Sequence, residues 1–289
     1  MEPVVAANEE AIEAWNGVLF DRFVQFRDIL LAGLGGHGEA AMRLCAPNKG
    51  DRVLDIGCGF GDTTQQLAGL AGPEGRALGV DAATRFIEAA SQEAEQAGAT
   101  NVRFRVADVE AAGFDEEFDF AFSRFGTMFF ANPVAALRNV RTALVPGGRL
   151  CMVVWRQKLD NEWLHRAELV VEKYLTEPED SDEPTCGPGP FSMANADTTS
   201  HILLNAGFEN ITFHRCDLDY LMGRTLDEAV ELNMALGPAG EVIRLSGEQA
   251  EAIRPKLAAE IGAALGDFVS PEGVVAPSST WIVAARAPN

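Results

Sequence analysis

The stretch that most constrains the fold of this chain is a short apolar run that enters a glycine-rich turn, VLDIGCGFG at residues 53–61. An apolar run of this length predicts a buried strand, and glycine tolerates the positive φ angles of the tight turn that follows it. Amides at the start of the next helix then face any ligand that approaches the turn. The segment therefore predicts a strand, a glycine turn and a helix that together bind a ligand.

The spacing of the glycines narrows the class of ligand. A dinucleotide fingerprint reads G-x-G-x-x-G, and its third glycine would fall on Asp62. Gly57, Gly59 and Gly61 follow G-x-G-x-G instead, and Asp55 lies two residues ahead of them. A carboxylate at that place suits a ligand with a positive amino group better than a pyrophosphate. The spacing therefore argues against a nicotinamide-dependent oxidoreductase.

Strand and helix patterns alternate from residue 51 to about residue 156. The predicted strands are 53–56, 77–80, 102–106, 118–122 and 149–155, joined by helices at 63–70, 84–97 and 133–144, and further strands are predicted at 210–219 and 280–285. Such alternation predicts an α/β fold with a mostly parallel sheet, helices on both faces and ligands at the carboxyl ends of the strands.

Three acids lie at the ends of three successive predicted strands, so all three are expected around one crevice. Asp55 is at the end of the first strand, Asp81 of the second and Asp108 of the third. A carboxylate after the second strand can accept hydrogen bonds from both hydroxyls of a ribose. Asp108 can accept one from an exocyclic amine such as that of adenine, while the Val109 amide faces a ring nitrogen. Each acid alone also fits a helix cap, but the ordered set favours a nucleoside site.

The turn and the acids resemble the motifs of class I S-adenosylmethionine (SAM) methyltransferases over about residues 50–156. The resemblance implies a Rossmann-like sheet of seven strands, the last antiparallel, with SAM as cofactor and S-adenosylhomocysteine (SAH) as product. Asp81 would hold the ribose, and Phe86 would lie beside the adenine. The cofactor-binding residues that it implies are Asp55, Gly57, Cys58, Gly59, Gly61, Thr63, Asp81, Ala82, Phe86, Asp108, Val109 and Ser123.

Further segments are similar to a bacterial subgroup related to the quinone-methylating enzymes. These are SRFGTMFFANP at 123–133, Trp155-Arg156, and the short segments 15–17 and 161–163. In the last of these, Glu162 stands where proline is more usual. The members of this subgroup are mostly without an assigned substrate, so this similarity indicates the fold more sharply than the acceptor.

The aromatic residues indicate the kind of acceptor. No N-P-P-Y or D-P-P-Y follows the fourth strand, which argues against methylation of DNA bases or glutamine. Apolar side chains at helical spacing also fit a plain core, yet together these residues favour a small, partly hydrophobic or aromatic acceptor. The residues predicted to wall its pocket are Trp15, Phe23, Phe125, Met128 and Trp163.

Methyl transfer from a sulfonium needs a general base only if the nucleophile still carries a proton. His37, in a glycine break at 33–38, is the first candidate because a loop there would overhang the crevice, and a plain loop histidine is the alternative. His165 is the second candidate. Arg124 can orient an anionic group of the acceptor, or else pair with an acid at the edge of the sheet.

Bulk composition restricts the partners. The formal net charge of −20 argues against a nucleic-acid partner. Five scattered cysteines without a C-x-x-C pair predict neither a disulfide framework nor a metal site. No apolar run is long enough for membrane insertion, and the acidic start resembles no signal peptide, so a cytoplasmic protein is expected. The oligomeric state is left open.

The chain divides into six predicted segments. They are an N-terminal helical lid at 1–48, a SAM-binding core at 49–156, an insertion and substrate lid at 157–196, a core helix and strand at 197–223, a helical insertion at 224–270 and a last core strand at 271–289. The acidic, proline-rich stretch 177–190 predicts a mobile loop. The sequence thus favours a SAM-dependent methyltransferase of a small molecule, and a SAM-binding scaffold or sensor is the alternative.

Overall fold

The computed structural model describes residues 5–176 and 188–289. One mixed sheet runs through these residues in the order β3-β2-β1-β4-β5-β8-β6, and the short β7 pairs with β8. The strands are β1 (Arg52–Ile56), β2 (Arg76–Asp81), β3 (Val102–Val106), β4 (Phe118–Arg124), β5 (Leu144–Trp155), β6 (Glu209–Gly223), β7 (Val269–Ser270) and β8 (Gly273–Arg286).

Helices cover both faces of this sheet. The first part of the chain supplies α1 (Val5–Ala14), a π-helical turn (Trp15–Leu19), α2 (Phe20–Gln25), α3 (Arg27–Leu44), α4 (Asp62–Ala71), α5 (Thr84–Gln96) and α6 (Pro133–Ala143). The second part supplies α7 (Glu162–Val171), α8 (Ala196–Ala206), α9 (Leu226–Ala235), α10 (Gly237–Leu245), α11 (Glu248–Ala252) and α12 (Arg254–Leu265).

The sheet confirms the predicted Rossmann-like fold. Strands β1 to β5 pair in parallel, whereas β8 is antiparallel to both β5 and β6. Parallel strands covered by helices are buried on both faces, which explains the continuous apolar runs of β1 and β4. The one addition to the seven predicted strands is β7, a two-residue pairing at the end of the helical insertion.

The predicted glycine break at 33–38 is wrong, because α3 continues through it. Glycine costs about 1 kcal/mol in a helix interior, so its presence there needs a packing reason. A Cβ at Gly33 would overlap the ring of Tyr220, and one at Gly38 would lie 2.9 Å from Cδ of Arg124. The glycines therefore let α3 approach the sheet closely, and the actual kink occurs earlier, at Gly17 (φ −100°, ψ −116°).

The two insertions form one layer over the carboxyl end of the sheet, since α7 packs against both α10 and α12. The helix predicted at 158–175 is shorter, with a 3₁₀ turn at Lys158–Asp160 before α7. Of the loop predicted at 177–190, residues 177–187 lie outside the described residues.

Asn161 fixes where α7 begins. Its amide oxygen accepts a hydrogen bond from the Ser279 amide at 2.9 Å, and its Nδ2 donates to the Ser279 carbonyl at 3.0 Å and to the Gln157 carbonyl at 3.3 Å. The side chain is fully buried, so β8 and the start of α7 are joined without water. Glu162 then occupies the first helical position, where proline is also well tolerated, and it pairs with Arg166 at 3.1 Å.

Asn161→Ala leaves the buried amide and carbonyl of Ser279 without this partner, so it is expected to lower the free energy of unfolding by about 2–3 kcal/mol. Urea denaturation followed by circular dichroism measures the change. Asn205→Ala on exposed α8 removes a local bond to the His201 carbonyl and serves as the control, with a change below about 0.5 kcal/mol. Equal effects of both substitutions would contradict the role given to Asn161.

Candidate functional site

The turn after β1 has the glycine-only backbone that the sequence predicts. Gly57, Gly59 and Gly61 have φ angles of 66°, 52° and 78°. A Cβ at Gly57 would lie 3.0 Å from the Gly126 Cα, and one at Gly61 would lie 2.6 Å from the Phe104 ring. A Cβ at Gly59 would make only an ordinary contact with the Phe86 ring, at 3.9 Å, and this residue lines a cavity. The turn thus has a backbone conformation that glycine adopts readily and other residues do not, and it leaves room for a ligand beside it.

Asp81 holds this turn against the end of β2. Its two carboxylate oxygens accept hydrogen bonds from the amides of Gly59 and Ala83, both at 3.0 Å. Each oxygen keeps a lone pair for a further donor. Burial raises the pKa of the Asp81 carboxyl above its ordinary value, and the two amide bonds oppose this rise. The side chain is therefore oriented before any ligand arrives.

Asp55 lies behind the turn instead of facing the ligand space. It is 1% exposed and accepts a hydrogen bond from the Thr64 hydroxyl at 2.6 Å. Burial raises the pKa of its carboxyl to about 6, although Thr64 and the charge of Arg124 oppose the shift. Ser123 is likewise buried and donates to the Ile56 carbonyl at 2.8 Å.

A cavity of about 610 Å³ opens at the carboxyl ends of the strands. Asp55, Gly61, Thr63 and Ser123 are not among the residues that line it, so they support the turn from behind. The cavity brings together most of the other predicted residues, namely Gly57, Cys58, Gly59, Asp81, Ala82, Phe86, Asp108 and Val109 for the cofactor, Trp15, Phe23, Phe125, Met128 and Trp163 for the acceptor, and Arg124.

The predicted acceptor residues fall into two groups. Trp15 and Phe23 lie against Phe86, with ring centroids 6.5 and 6.0 Å away, on the side where the cofactor nucleoside is expected. Phe125 and Trp163 lie instead on either side of Trp155, at 4.6 and 6.3 Å. The N-terminal helices therefore cover one end of the cavity, and the insertions wall the other.

Arg85 ties the N-terminal cover to the core. Its backbone amide donates to Asn16 Oδ1 at 3.1 Å, and its guanidinium donates to the carbonyls of Asn16 and Gly17 and to Asp21. The same guanidinium lies 4.1 Å from the centroid of the Phe20 ring. These contacts explain the Trp15-Asn16-Gly17 segment noted in the sequence, which is the part of the cover that reaches α5.

Phe125 occupies a strained position at the end of β4. Its φ of 61° is unusual for a bulky residue, and its amide donates to the Val153 carbonyl at 2.9 Å. Non-glycine residues in this region concentrate at functional sites. The strain turns the Phe125 ring onto Trp155, with a 30° angle between the ring planes.

Neither candidate histidine lines the cavity. The expected loop position of His37 is wrong, since this residue lies inside α3, is fully buried and has Nε2 2.8 Å from the Ser278 hydroxyl and Nδ1 3.0 Å from that of Thr280. Burial lowers the pKa of His37 to about 4, which keeps the ring neutral. His165 Nδ1 lies 3.5 Å from a carboxylate oxygen of Glu168 without a hydrogen bond.

Arg124 does line the cavity, and it makes no hydrogen bond or ion pair with any described residue. Burial lowers the pKa of its guanidinium, while the charges of Asp55 and Asp62 oppose this shift. The side chain is half-buried, and a guanidinium that is partly removed from water without a hydrogen-bonding partner costs free energy. Arg124 is therefore available to an anionic group inside the cavity.

Sequence reasoning missed several polar residues of the cavity wall, among them Tyr220 on β6 and Asn233 on α9. Both are 1% exposed. Both residues lie far from the glycine turn in sequence. They reach the cavity only through the long-range packing of β6 and α9. The glycine at position 33 was the one available signal, because a mid-helix glycine indicates a close neighbour.

The described residues contain no helix that meets the length and hydropathy needed to cross a bilayer. Within the same residues, no three His, Cys, Asp or Glu side chains are grouped so that they could hold a metal ion.

Comparison with known proteins identifies the class. A family described as "Methyltransferase domain" matches residues 47–181. The ubiquinone/menaquinone biosynthesis C-methyltransferase UbiE of Pseudomonas syringae pv. tomato is 30% identical over 185 residues, which cover 60% of this chain and 71% of UbiE. The aklanonic acid methyltransferase DauC of Streptomyces sp. is 35% identical over 114 residues, which are 39% of this chain. This chain thus spans about half (52%) of the length of DauC.

Solved structures agree with this fold. A putative methyltransferase of Bacillus halodurans has a TM-score of 0.55 and 19% identity, covering 88% of this chain and 100% of that chain. The chain belongs to the class I SAM-dependent methyltransferases and is related to UbiE. Its cofactor is SAM, and SAH is the product. Nothing in the comparisons supports the alternative of a scaffold or sensor.

The pKa of Asp55 leads to a prediction about stability. Since the folded pKa of about 6 exceeds the ordinary 3.8, the folded protein binds the proton more tightly. The free energy of unfolding therefore falls as the pH rises from about 4 to about 6, and the loss persists above that range. A shift of about two pKa units corresponds to about 3 kcal/mol, which is an upper bound.

Asp55→Asn removes the buried charge and is expected to be more stable than the wild type by about 1–3 kcal/mol at pH about 7.5, with a smaller difference at pH about 4. Urea denaturation of the SAM-free protein at both pH values measures this. A difference that does not change with pH would contradict the raised pKa of Asp55.

Proposed function

We propose that the enzyme transfers the methyl group of SAM to a small, planar, partly hydrophobic acceptor that carries an acidic oxygen. The observation that carries this proposal is the continuity of one cavity, which extends from the glycine turn to the aromatic wall of Phe125, Trp155 and Trp163. A cofactor at the turn and a flat acceptor at the wall would thus share one enclosed space.

The cofactor end of the cavity fits SAM by its shape and its donors. Gly59 lines the cavity, so a larger side chain there would occupy ligand space. The oriented carboxylate of Asp81 can accept hydrogen bonds from both ribose hydroxyls. Phe86 would pack against the adenine. We assign the adenine edge to Asp108 and the Val109 amide, which lie after β3 on the same side of the cavity.

The cavity lining carries more acidic than basic side chains, so the preference for an acidic acceptor over an amine rests on the local charge of Arg124. SAM brings a positive sulfonium close to the guanidinium of Arg124, and these two positive charges repel each other in a site with little water. A phenolate or enolate of the acceptor would offset both charges. This argument favours oxygen or ring carbon as the methylated atom, since both carry the negative charge of such an anion.

Catalysis would then need little more than alignment. SAM supplies an activated methyl group and an excellent leaving group. The chain positions the acceptor for in-line attack and excludes water with the N-terminal helices and the insertions. A positive charge at Arg124 lowers the pKa of an acceptor hydroxyl, so the anion can form without a histidine in the cavity.

The experiment that tests this function is an acceptor panel with SAM, read by SAH formation and by the mass of the product. A naphthol is compared with its saturated counterpart decahydronaphthol and with cyclohexylamine. The proposal expects methylation of the naphthol and a rate at least about tenfold lower for the other two compounds. Turnover of the amine or the saturated alcohol alone would overturn it.

Arg124→Gln is expected to raise KM for the naphthol at least about tenfold, because a charge-assisted hydrogen bond contributes about 1.5–3 kcal/mol. The dissociation constant for SAH, measured by calorimetry, is expected to change less than about threefold. Arg43→Gln, at an exposed position of α3 where the arginine pairs only with Glu39 on the same helix, is the control. A large loss of SAH affinity would instead assign Arg124 to the carboxylate of the cofactor.

Asp81→Ala is expected to weaken SAH binding at least about thirtyfold, since two hydrogen bonds to a carboxylate are lost. Asp115→Ala, at an exposed loop position, is the matched control and should bind as the wild type does. Unchanged affinity of the Asp81 variant, with its fold intact by circular dichroism, would remove Asp81 from the cofactor site.

A further inference from the structure

Tyr220 is the most deeply buried polar aromatic residue on the acceptor side of the cavity. It is 1% exposed and stacks on Trp163, with ring centroids 4.4 Å apart and an interplanar angle of 12°. Trp155 meets the Tyr220 ring edge-on, at 6.5 Å and 77°. These three rings form a rigid corner of the cavity.

The hydroxyl of Tyr220 has a free hydrogen-bonding capacity. This hydroxyl makes no hydrogen bond with any described residue. It also keeps a small accessible surface, since it is not among the fully enclosed side-chain atoms that lack a partner. Since Tyr220 lines the cavity, its hydroxyl opens into that space. Buried tyrosine hydroxyls ordinarily find a partner, and a missing partner costs free energy.

Burial also fixes the chemical form of this hydroxyl. It raises the pKa of Tyr220 well above its ordinary value, with no nearby charge acting against the shift. The phenol therefore stays protonated at any pH where the enzyme is folded and active. It can donate a hydrogen bond, but it cannot act as a base.

Helix α3 is adapted to the Tyr220 ring. Gly33 stands where a Cβ would overlap this ring, whereas a Cβ at Gly35, on the same helix, would meet nothing within 4 Å. Gly38 makes the corresponding room for Arg124. Gly33 and Gly38 are five residues apart, which is about 7.5 Å along a helix axis.

We infer that Tyr220 is an acceptor-positioning residue, and that its hydroxyl donates a hydrogen bond to a second oxygen of the acceptor, on the side of the ring away from Arg124. The acceptor is then a conjugated ring with oxygen substituents on two opposite sides. One is anionic and faces Arg124, while the other is a neutral carbonyl or hydroxyl. This assignment rests on the proposed function and narrows its substrate class.

The test compares two acceptors in the wild type and in Tyr220→Phe, which keeps the ring and removes only the hydroxyl. One acceptor is a naphthalenediol with hydroxyls on opposite rings, and the other is the corresponding naphthol with a single hydroxyl. The inference expects KM for the diol to rise about tenfold in the variant, while KM for the naphthol changes less than about twofold. SAH affinity should stay unchanged for both proteins.

Gly33→Ala probes the same contact from the helix. It displaces the Tyr220 ring and is expected to raise KM for the diol at least about tenfold, while Gly35→Ala leaves KM and SAH affinity unchanged. If Gly33→Ala does not fold, Tyr220→Phe decides the question alone.

The possible failures are distinct. If the wild type methylates both acceptors and Tyr220→Phe affects them equally, or affects neither, the role of Tyr220 is overturned and the proposed function stands. If the wild type methylates neither acceptor, the proposed function falls, and the assignment of Tyr220 falls with it.

Discussion

The whole site depends on the hydrogen bonds that join the glycine turn to the end of β2. The amides of Gly57 and Cys58 both donate to the Val80 carbonyl, at 2.9 and 3.0 Å, and the Gly59 amide donates to Asp81. These bonds use only backbone donors and one carboxylate, so they hold the turn open without placing a side chain in it. The cavity and the position of α4 follow from this geometry.

The end of the cavity that we propose for the acceptor obeys a different constraint, because it is assembled from segments far apart in the chain. Trp163 reaches the cavity on α7, which Asn161 anchors to β8, and Tyr220 reaches it on β6. Gly33 allows α3 to close over them. Such a wall can change with the insertions without altering the glycine turn, because loops on a rigid scaffold tolerate change.

These two constraints explain how much could be predicted from the sequence. The sheet, the glycine turn and the place of Asp81 follow from local patterns and the rules of parallel sheets. The helical position of His37 and the contact of α3 with Tyr220 could not be predicted, because tertiary packing overrides the helix-breaking tendency of the glycines at 33–38. For Asp55, the sequence indicated the position at the end of a strand. It did not indicate the hydrogen bond from the Thr64 hydroxyl, which holds the carboxylate behind the turn.

The most direct measurement is a crystal structure of the enzyme with SAH. The account predicts the ribose hydroxyls on the Asp81 carboxylate, the adenine beside Phe86, and the sulfur directed toward the space between Arg124 and Tyr220. SAH with its ribose away from Asp81, or with its sulfur turned from the aromatic wall, would contradict the division of the cavity into a cofactor end and an acceptor end.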